Sequence, residues 1–353
     1  GFTPGGDLCD DLVQRKILKH YDIQSMDEVH PTYLNGFISG ASIYKELFHG
    51  KVLDIDYKKM SYALDSFIPG KTDKEREEKM KEILDDAQKK GYGVAYFNAT
   101  DYHMVRAYIK AAEALRSPVI IGTSQGLVEQ YGGFEWIAPV LLQAANIASV
   151  PVAVHLDHTY SEETIMSALN FGFGSVMFDG SRLSYEENIE ISSRVSKIAH
   201  QMGAHVEFEL GSVGGLEAED GTVDEIKYTD PMVAAEFLER TDCDFLAVSI
   251  GTVHGTYKSE PNLNLSLLRE IRNKVSCPLV LHGGSGLSNE DFRNTISGGI
   301  SKINVYTDIV HAGTDCLRTS KCQVYADILL QAESAMCRAA MDKMMVFGSQ
   351  GCA

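Results

Sequence analysis

The sequence predicts an α/β protein, a (β/α)8 TIM barrel that follows an N-terminal helical extension. Two observations predict the barrel: eight short runs rich in β-branched residues, and amphipathic helical stretches between them. Eight such units match the usual size of this fold, about 250 residues. The runs are GYGVAYFN (91–98), PVIIGTSQ (118–125), PVAVHLD (151–157), SVMFDG (175–180), HVEFELG (205–211), DFLAVSIG (244–251), PLVLHGG (278–284) and KINVYTD (302–308).

An open, doubly wound parallel sheet is the alternative architecture. Such a sheet usually has about five to seven strands and a glycine fingerprint directly after the first one. Here the first run is followed by NATDYH, which contains no glycine. The stretches 103–116, 186–203 and 231–240 have the apolar spacing of helices that pack around a barrel.

The chain before the first run divides into two parts. Residues 1–72 are predicted to form short amphipathic helices, and we expect this extension to be a subunit interface or a cap on the barrel. The charged stretch 73–91 starts with Asp and stops with Gly, which predicts a helix that leads into the first strand and closes the barrel floor. The barrel domain is therefore predicted to span residues 73–353.

Composition limits the partners and the compartment. The formal net charge of −17 disfavours nucleic acid and anionic membranes as partners. Seven cysteines without a C-x-x-C pair favour a reducing compartment over a disulfide framework or a structural zinc knuckle. No run approaches the roughly 18 apolar residues of a membrane span. We expect a cytoplasmic protein, and the start at Gly1 leaves a removed targeting peptide open.

Polar residues gather where the predicted strands end, and in a barrel the carboxyl ends of the strands form the active-site face. His158, His254 and His282 lie at the ends of three different runs or just after them, and three histidines with one open position are typical of catalytic zinc. The alternative for each histidine is a hydrogen-bonded polar residue without a ligand. The other candidates at strand ends are Asn98, Ser124, Gln125, Asp157, Asp179, Glu209 and Asn304.

Two glycine-rich segments, GTVHGTYK (251–258) and HGGSG (282–286), each contain one of these histidines. Glycine lets backbone N–H groups approach an anion closely, so the pair of segments predicts a phosphate beside a metal. Lys258 could add positive charge, or it is a solvated loop lysine. Glu217, in the acidic loop 209–221, is the candidate acid or base, and the alternative is an exposed acidic loop.

Seven motifs then occur in one characteristic order: HLDH, SVMFDGS, VEFELGSVGG, GTVHGTYKSEP, LVLHGGSGL, SKINVYT and VFGSQG. With them the chain resembles the class II, zinc-dependent ketose-bisphosphate aldolases, which include the fructose- and tagatose-bisphosphate enzymes. The resemblance runs from about residue 75 to the C-terminus. It implies a lyase that acts on a phosphorylated ketose and assembles as a homodimer or homotetramer.

The resemblance also implies roles for individual residues. It implies one catalytic Zn2+ per subunit, with His158, His254 and His282 as ligands and Glu209 close to it in an alternative ligand position. Asp157 would move the proton of the C4 hydroxyl, and Glu217 would transfer the proton at the triose carbon. The residues implied to bind substrate are Asn304 near the metal, and Gly255, Lys258, Gly283, Ser285 and Thr307 around the triose phosphate. A monovalent cation, Na+ or K+, often binds near these glycines.

The resemblance implies the reversible cleavage of a ketose 1,6-bisphosphate, with fructose 1,6-bisphosphate as the expected substrate. Its products are dihydroxyacetone phosphate and glyceraldehyde 3-phosphate, formed through a zinc-stabilised enediolate. The Schiff-base route needs a lysine inside the barrel. Lys302 is predicted to start its strand and to lie on the wrong face, which disfavours that route.

Three observations leave other functions open. Tyr306 stands where the family more often has a small or polar residue, the extension over residues 1–72 is not part of the usual family barrel, and no arginine can be assigned to a distal phosphate. The alternatives are therefore tagatose bisphosphate, a modified ketose 1-phosphate, a zinc hydrolase reaction, or a barrel that serves as a non-catalytic scaffold.

Overall fold

The computed structural model describes residues 79–216, 223–224, 226–255 and 260–353. The predicted extension over 1–72, the boundary at residue 73, Glu217 and Lys258 lie outside this part of the chain and stay predictions. In chain order the elements are α1 (Lys79–Lys90), β1 (Val94–Asn98), α2 (Tyr102–Leu115), β2 (Val119–Ser124), α3 (Gln125–Gln130), α4 (Phe134–Ile147), β3 (Val152–Asp157), α5 (Glu162–Phe171), β4 (Ser175–Phe178), α6 (Tyr185–Gln201), β5 (His205–Leu210), β6 (Gly214–Leu216), β7 (Val223–Asp224), α7 (Pro231–Thr241), β8 (Phe245–Val248), β9 (Val253–His254), α8 (Leu265–Lys274), β10 (Leu279–Leu281), α9 (Asn289–Ser297), β11 (Ile300–Asn304), α10 (Thr307–Thr319) and α11 (Tyr325–Phe347).

The predicted (β/α)8 barrel is confirmed. Going around it, the strands are β1, β2, β3, β4, β5, β8, β10 and β11, and β11 closes the barrel beside β1. Every neighbouring pair is parallel. The predicted helices over 103–116, 186–203 and 231–240 correspond to α2, α6 and α7. All eight carboxyl ends therefore meet on one face, which brings residues far apart in sequence together.

Local sequence explains where several barrel helices begin. Asp101 and Asp230 accept hydrogen bonds from the first-turn N–H groups of α2 and α7, and Pro231 occupies the position where its missing N–H costs nothing. Ser184 and Glu187 form a reciprocal capping box at α6.

Within the described ranges, no helix is long and apolar enough to cross a membrane.

Helix α1 closes the amino-terminal end of the barrel, as predicted for the charged stretch that contains it. Its apolar side chains, Met80, Ile83, Leu84 and Ala87, form one buried cluster with inward-facing strand residues that include Val94, Ile120, Phe245 and Val280. Burying side chains of this size contributes about 1.5–3 kcal/mol for each large one. Apolar side chains therefore fill the barrel interior at its amino-terminal end, and the polar strand ends lie at the opposite, carboxyl end.

A small three-stranded sheet outside the barrel was not predicted. Strand β6 pairs antiparallel with β7 and parallel with β9. Gly215 of β6 lies in register with His254 of β9. The base of the acidic loop that follows β5 therefore runs beside one of the candidate metal ligands.

The interpretation of Lys302 as a strand-start residue on the wrong face is wrong. The strand begins two residues earlier, at Ile300, and the alternation along it puts Lys302 on the same inward face as Asn304. Lys302 is fully buried, and its Nζ lies 2.8 Å from Oε2 of Glu207 and 4.6 Å from the ring centroid of Tyr96. The barrel does contain an interior lysine, and its ammonium is bound to a carboxylate.

Asp244 ties three elements together near the amino-terminal end of β8. Its Oδ2 accepts a hydrogen bond from the Val206 N–H at 2.9 Å and lies 2.8 Å from His200 Nε2 and 3.6 Å from His205 Nδ1. Burial alone would raise the pKa of Asp244, but the hydrogen bonds from His205, His200 and Val206 outweigh it and hold the pKa below its ordinary value.

The substitution Asp244→Asn should therefore lower the free energy of unfolding by about 2 kcal/mol at pH 7, because hydrogen bonds to a charged group are lost. A carboxyl with a lowered folded-state pKa contributes stability above its unfolded pKa of about 3.9 and loses it as pH falls through the folded pKa. The difference between variant and wild type should shrink at pH 3, measured by urea unfolding. Asp242→Asn is the control, because Asp242 Oδ2 lies 3.4 Å from the same His200 but its side chain is 89% exposed, and exposed ion pairs contribute little to stability. An Asp244→Asn effect of equal size at both pH values would contradict this assignment.

Candidate active site

A cavity of about 470 Å3 lies at the carboxyl ends of the barrel strands. This volume suits a small phosphorylated ligand. Most of the predicted site residues line it together, although they come from different strands. Those lining residues are Asn98, Ser124, Asp157, His158, His254, Gly255, Gly283, Ser285, Asn304 and Thr307.

The three candidate histidines converge on one point. Each of His158, His254 and His282 offers a nitrogen, and these three nitrogens all lie within 4.8 Å of one another. His158 Nε2 and His282 Nδ1 are 2.6 Å apart. The ring centroids of His158 and His254 are 5.0 Å apart and the rings are nearly perpendicular. This set of imidazole donors could hold a metal ion.

The backbone of His158 is held in an uncommon conformation directly after β3. Its φ of 32° is left-handed, which costs a non-glycine residue about 1–3 kcal/mol. Its Nδ1 lies 3.3 Å from Asp179 Oδ2. Because a carboxylate accepts, Nδ1 carries the proton and Nε2 keeps its lone pair toward the other histidines. Such strain persists where the surroundings fix a functional side chain.

His282 is oriented by an acid that sequence reasoning missed. Its Nε2 lies 2.8 Å from Glu207 Oε1, and both side chains are fully buried. Burial, with the neighbouring His158, holds the pKa of His282 well below its ordinary value. The ring is therefore neutral, donates from Nε2 to Glu207, and presents Nδ1 as a ligand atom.

Glu209, two residues after Glu207 on β5, lies on the other side of the histidine cluster. One carboxylate oxygen accepts a hydrogen bond from the Val213 N–H at 3.2 Å. Glu209, Asp179 and His158 also bring possible ligand atoms within 4.8 Å of one another. His158 thus belongs to two ligand sets, which agrees with an alternative metal position near Glu209.

Asp157 is buried and fixed by two amides. Its Oδ1 accepts from Asn304 Nδ2 at 2.9 Å and its Oδ2 accepts from Asn98 Nδ2 at 3.1 Å. Asn98 is itself oriented, because its Oδ1 accepts from the Tyr96 hydroxyl at 2.6 Å. Asn304 Nδ2 also lies 3.4 Å from His282 Nδ1. The carboxylate is therefore positioned beside the ligand nitrogens and at the cavity wall.

The glycine-rich segments form one wall of the cavity. Gly283 has a φ of 65°, and a Cβ there would approach the Val253 carbonyl oxygen to 2.5 Å, so this position requires glycine. Thr307 begins the 13-residue helix α10, and Ser285 Oγ accepts a hydrogen bond from the Tyr306 N–H at 3.3 Å. Glycine backbone beside the N-terminus of a helix is a favourable place for a phosphate.

The exposed rim of the cavity contains three residues that sequence reasoning did not select, Tyr160, Arg182 and Glu129. Gln125, one of the predicted strand-end candidates, lies beside them in the lining. The Arg182 guanidinium lies over the Tyr160 ring at 5.7 Å from its centroid. Gln125 Nε2 donates to Glu129 Oε1 at 2.8 Å, and Gln125 Oε1 accepts from the Tyr160 N–H at 3.0 Å. Tyr160 and Arg182 belong to loops and Glu129 belongs to the short helix α3. No repeating pattern in the sequence indicates that these side chains face the site.

Tyr306 also lines the cavity. Burial, with the nearby Tyr131 hydroxyl and the Asp101 carboxylate, raises the pKa of Tyr306 to about 12. Its phenol therefore keeps its proton at neutral pH. The residue that departs from the family pattern thus contributes a neutral hydroxyl-bearing ring to this part of the wall.

A closed parallel barrel with a group of histidines and carboxylates at its carboxyl face is typical of barrel enzymes, and this group could hold a metal ion. Comparison with known proteins gives the family: residues 78–352 match the family model described as "Fructose-bisphosphate aldolase class-II". The chain belongs to the class II fructose-bisphosphate aldolase family, and it is therefore an aldolase-type lyase.

Individual relatives agree with this membership. The chain is 40% identical over 266 residues to the YdjI protein of Escherichia coli strain K12, a match covering 75% of this chain and 95% of that one. It is 41% identical over 280 residues to a fructose-bisphosphate aldolase of Geobacillus stearothermophilus, covering 77% and 97%. The crystal structure of the E. coli YdjI aldolase superposes with a TM-score of 0.71 at 37% identity, covering 78% and 98%. A putative fructose-1,6-bisphosphate aldolase structure from Coccidioides immitis gives 0.72 at 28% identity, covering 77% and 97%.

Proposed function

We propose that this protein is a zinc-dependent aldolase that cleaves a ketose 1,6-bisphosphate, with fructose 1,6-bisphosphate as the first substrate to test. The products would be dihydroxyacetone phosphate and glyceraldehyde 3-phosphate. The observation that carries the proposal is the convergence of three histidine nitrogens beside a buried, amide-bound Asp157. The Geobacillus relative is named for the same reaction.

The donor set fits zinc. Three imidazole donors are the ligand set of a catalytic zinc site, which keeps a further position open for substrate, and the described ligand set contains no thiolate of the kind that structural zinc sites use. His158, His254 and His282 would hold the ion, with Glu209 as an alternative ligand. When bound, the ion would stabilise negative charge that develops on the ketose oxygens. One ion per subunit is the expected stoichiometry.

Asp157 would act as the general base of the cleavage. Retro-aldol cleavage requires removal of the proton from the C4 hydroxyl, and Asp157 lies at the cavity wall beside the ligand nitrogens. The amides of Asn98 and Asn304 fix both of its oxygens, which limits the positions from which it can accept that proton. Glu217, outside the described residues, is proposed to transfer the second proton at the triose carbon.

The phosphate of the triose half would bind at the glycine wall. Gly255, Gly283, Ser285 and Thr307 offer backbone N–H and hydroxyl groups beside the N-terminus of α10, and Lys258 is proposed to add a cation. Asn98, Ser124 and Asn304 would contact the sugar between this wall and the ligand nitrogens. A monovalent cation, Na+ or K+, near the glycines and assembly as a homodimer or homotetramer are further parts of the proposal.

The test is cleavage of a set of ketose phosphates with detection of dihydroxyacetone phosphate. The set contains fructose 1,6-bisphosphate, tagatose 1,6-bisphosphate and several ketose 1-phosphates, each with and without a chelator. Chelator-sensitive release from one sugar would establish the reaction and its substrate. Zinc binding without release of dihydroxyacetone phosphate from any sugar would favour the scaffold alternative. Analysis of the products would distinguish an aldolase from a zinc hydrolase.

A ketose phosphate other than fructose 1,6-bisphosphate is the second candidate, because the rim has its own chemistry. Tyr160 makes the rim partly aromatic, Glu129 is acidic, and Arg182 is the one arginine among the described lining residues. The similarity to the YdjI aldolase also favours testing sugars beyond the two bisphosphates. A bidentate guanidinium suits an anionic group at the distal end of the substrate.

The substitution Arg182→Met should separate these candidates. For a ketose 1-phosphate with an anionic distal end, we expect kcat/KM to fall roughly 10- to 100-fold, since a charged hydrogen bond contributes about 1.5–3 kcal/mol. For a ketose 1-phosphate with a neutral distal end, kcat/KM should stay within about twofold of wild type. Arg182→Lys, which keeps the charge but not the planar fork, is the matched control. Equal losses on both substrates would show that Arg182 does not read the distal group.

A further inference from the structure

A chain of three buried side chains lies directly beneath the histidine cluster. Lys302 Nζ donates to Glu207 Oε2 at 2.8 Å, and His282 Nε2 donates to the other oxygen, Oε1, at 2.8 Å. All three side chains are completely buried. Lys302 and Glu207 belong to β11 and β5, and His282 directly follows β10, so the chain crosses the barrel interior and ends where His282 Nδ1 meets His158 Nε2.

This arrangement is costly unless each member is satisfied. A buried carboxylate or ammonium loses several kcal/mol of hydration, which is recovered only with good geometry and full hydrogen bonding. A fully apolar layer would avoid this cost, and the floor just below, built from residues such as Val94, Phe245 and Val280, is apolar. The charged layer is therefore not required to fill the barrel.

The geometry gives Lys302 a specific effect on His282. Because Lys302 occupies Oε2, Oε1 of Glu207 is left for His282 Nε2–H, and the carboxylate is held from both ends. The ammonium also lies 4.6 Å from the centroid of the Tyr96 ring, which limits where it can move. Fixing the carboxylate fixes the imidazole tautomer and ring direction, so that Nδ1 points at the other ligand nitrogens.

We propose that the buried Lys302–Glu207 pair positions the metal centre by fixing the ligand His282. The inference rests on the zinc site of the proposed function. An anionic, hydrogen-bonded partner also makes an imidazole a better donor, and loss of such partners typically lowers metal affinity roughly 10- to 100-fold. The pair thus contributes to zinc affinity without touching zinc or substrate.

The experiment uses the double variant Glu207→Gln/Lys302→Met in the full chain. It replaces the ion pair by groups of similar size and leaves no unpaired charge, while the glutamine oxygen can still accept from His282. Zinc affinity is measured by competition with a chromophoric chelator, and the thermal midpoint of the metal-free protein is measured separately. The visible absorption spectrum of the Co2+ form reports the ligand geometry.

The control double variant is Lys110→Met/Glu333→Gln. It removes another ion pair, between α2 and α11, in which the Glu333 side chain is 2% exposed and Lys110 Nζ lies 2.5 Å from Glu333 Oε1. Glu333 also lies 2.8 Å from His103 Nδ1 and 3.5 Å from Arg106 Nη2, so this control removes at least as many charged contacts as the test variant. That pair makes no described contact with the histidine cluster. Its loss reports what removal of an ion pair does to stability alone.

The proposal expects zinc affinity to fall roughly 10- to 100-fold in Glu207→Gln/Lys302→Met, with a changed Co2+ spectrum, while the control keeps wild-type values. Wild-type affinity and spectrum in the test variant, or an equal change in the control, would overturn it. If the test variant does not fold, Glu207→Asp replaces it. That variant keeps the charge but shortens the reach to His282, and wild-type affinity there would equally overturn the proposal. Failure of the wild-type protein to bind zinc would overturn the proposed function itself.

Discussion

The substitution Asp157→Asn should lower kcat for ketose bisphosphate cleavage by roughly 10²- to 10⁴-fold, the usual contribution of a positioned general base. Asparagine has nearly the same shape and keeps one acceptor oxygen, so one of the two hydrogen bonds from Asn98 and Asn304 remains, and most of the loss in kcat should come from the missing basic oxygen. KM should change much less than kcat, because the triose phosphate contacts lie on the glycine wall. Steady-state kinetics on the substrate identified in the cleavage assay provides the measurement.

Two further results make the role of Asp157 specific. Zinc content should stay at the wild-type value in Asp157→Asn, because the carboxylate is not one of the three nitrogen donors. Ser124→Ala, at another position of the cavity lining, is the matched control and should have a far smaller effect on kcat. If Asp157→Asn kept wild-type kcat, a different residue would have to be the base.

The substitution His158→Ala should abolish zinc binding at micromolar metal and lower kcat/KM by roughly 10⁴-fold, since metal stabilisation of developing charge contributes several kcal/mol. His158 belongs to both ligand sets, with His254 and His282 and with Asp179 and Glu209, so its loss affects either metal position. Metal content after dialysis and cleavage rates at saturating zinc provide the measurement.

The control for this substitution is His311→Ala. His311 is exposed on α10 and should keep wild-type zinc content and activity. Since His158 has left-handed backbone, its replacement is also expected to change stability, so both variants should be compared by thermal unfolding without metal. A His158→Ala variant that bound one zinc per subunit with wild-type affinity would contradict the proposed ligand set.

Much of this architecture could be predicted because barrel formation depends on patterns that are local in sequence. Each strand is a short β-branched run, and a parallel barrel must bring the carboxyl ends of its strands together. That rule alone placed Asp157 and Asn304 near the same cavity. It needed no contact information, because strand polarity fixes which end of each run faces the site.

The parts that were missed depend on register and on loops. The sequence EFE placed two acids on the same face of β5, but it could not indicate that Glu207 binds His282 while Glu209 lies beside His158 and Asp179. Lys302 was misassigned because its strand starts two residues earlier than the β-branched run suggested. Arg182 enters the cavity from the connection after β4. Side chains in such a loop do not alternate between two faces as they do in a strand.

Closure of the amino-terminal end of the barrel by α1 limits how ligands enter and leave the cavity. Because that helix fills the amino-terminal end of the barrel, ligands exchange through the carboxyl mouth of the cavity. The glycine wall, with Gly283 and Ser285 buried, is its sheltered side, whereas Arg182 and Glu129 are exposed at the rim. In a substrate whose triose phosphate binds at the glycine wall, the other half therefore lies between the triose and the opening of the cavity. For a ketose bisphosphate bound in the proposed way, we therefore expect the aldehyde to leave before the triose phosphate, an order that a tunnel open at both ends would not require.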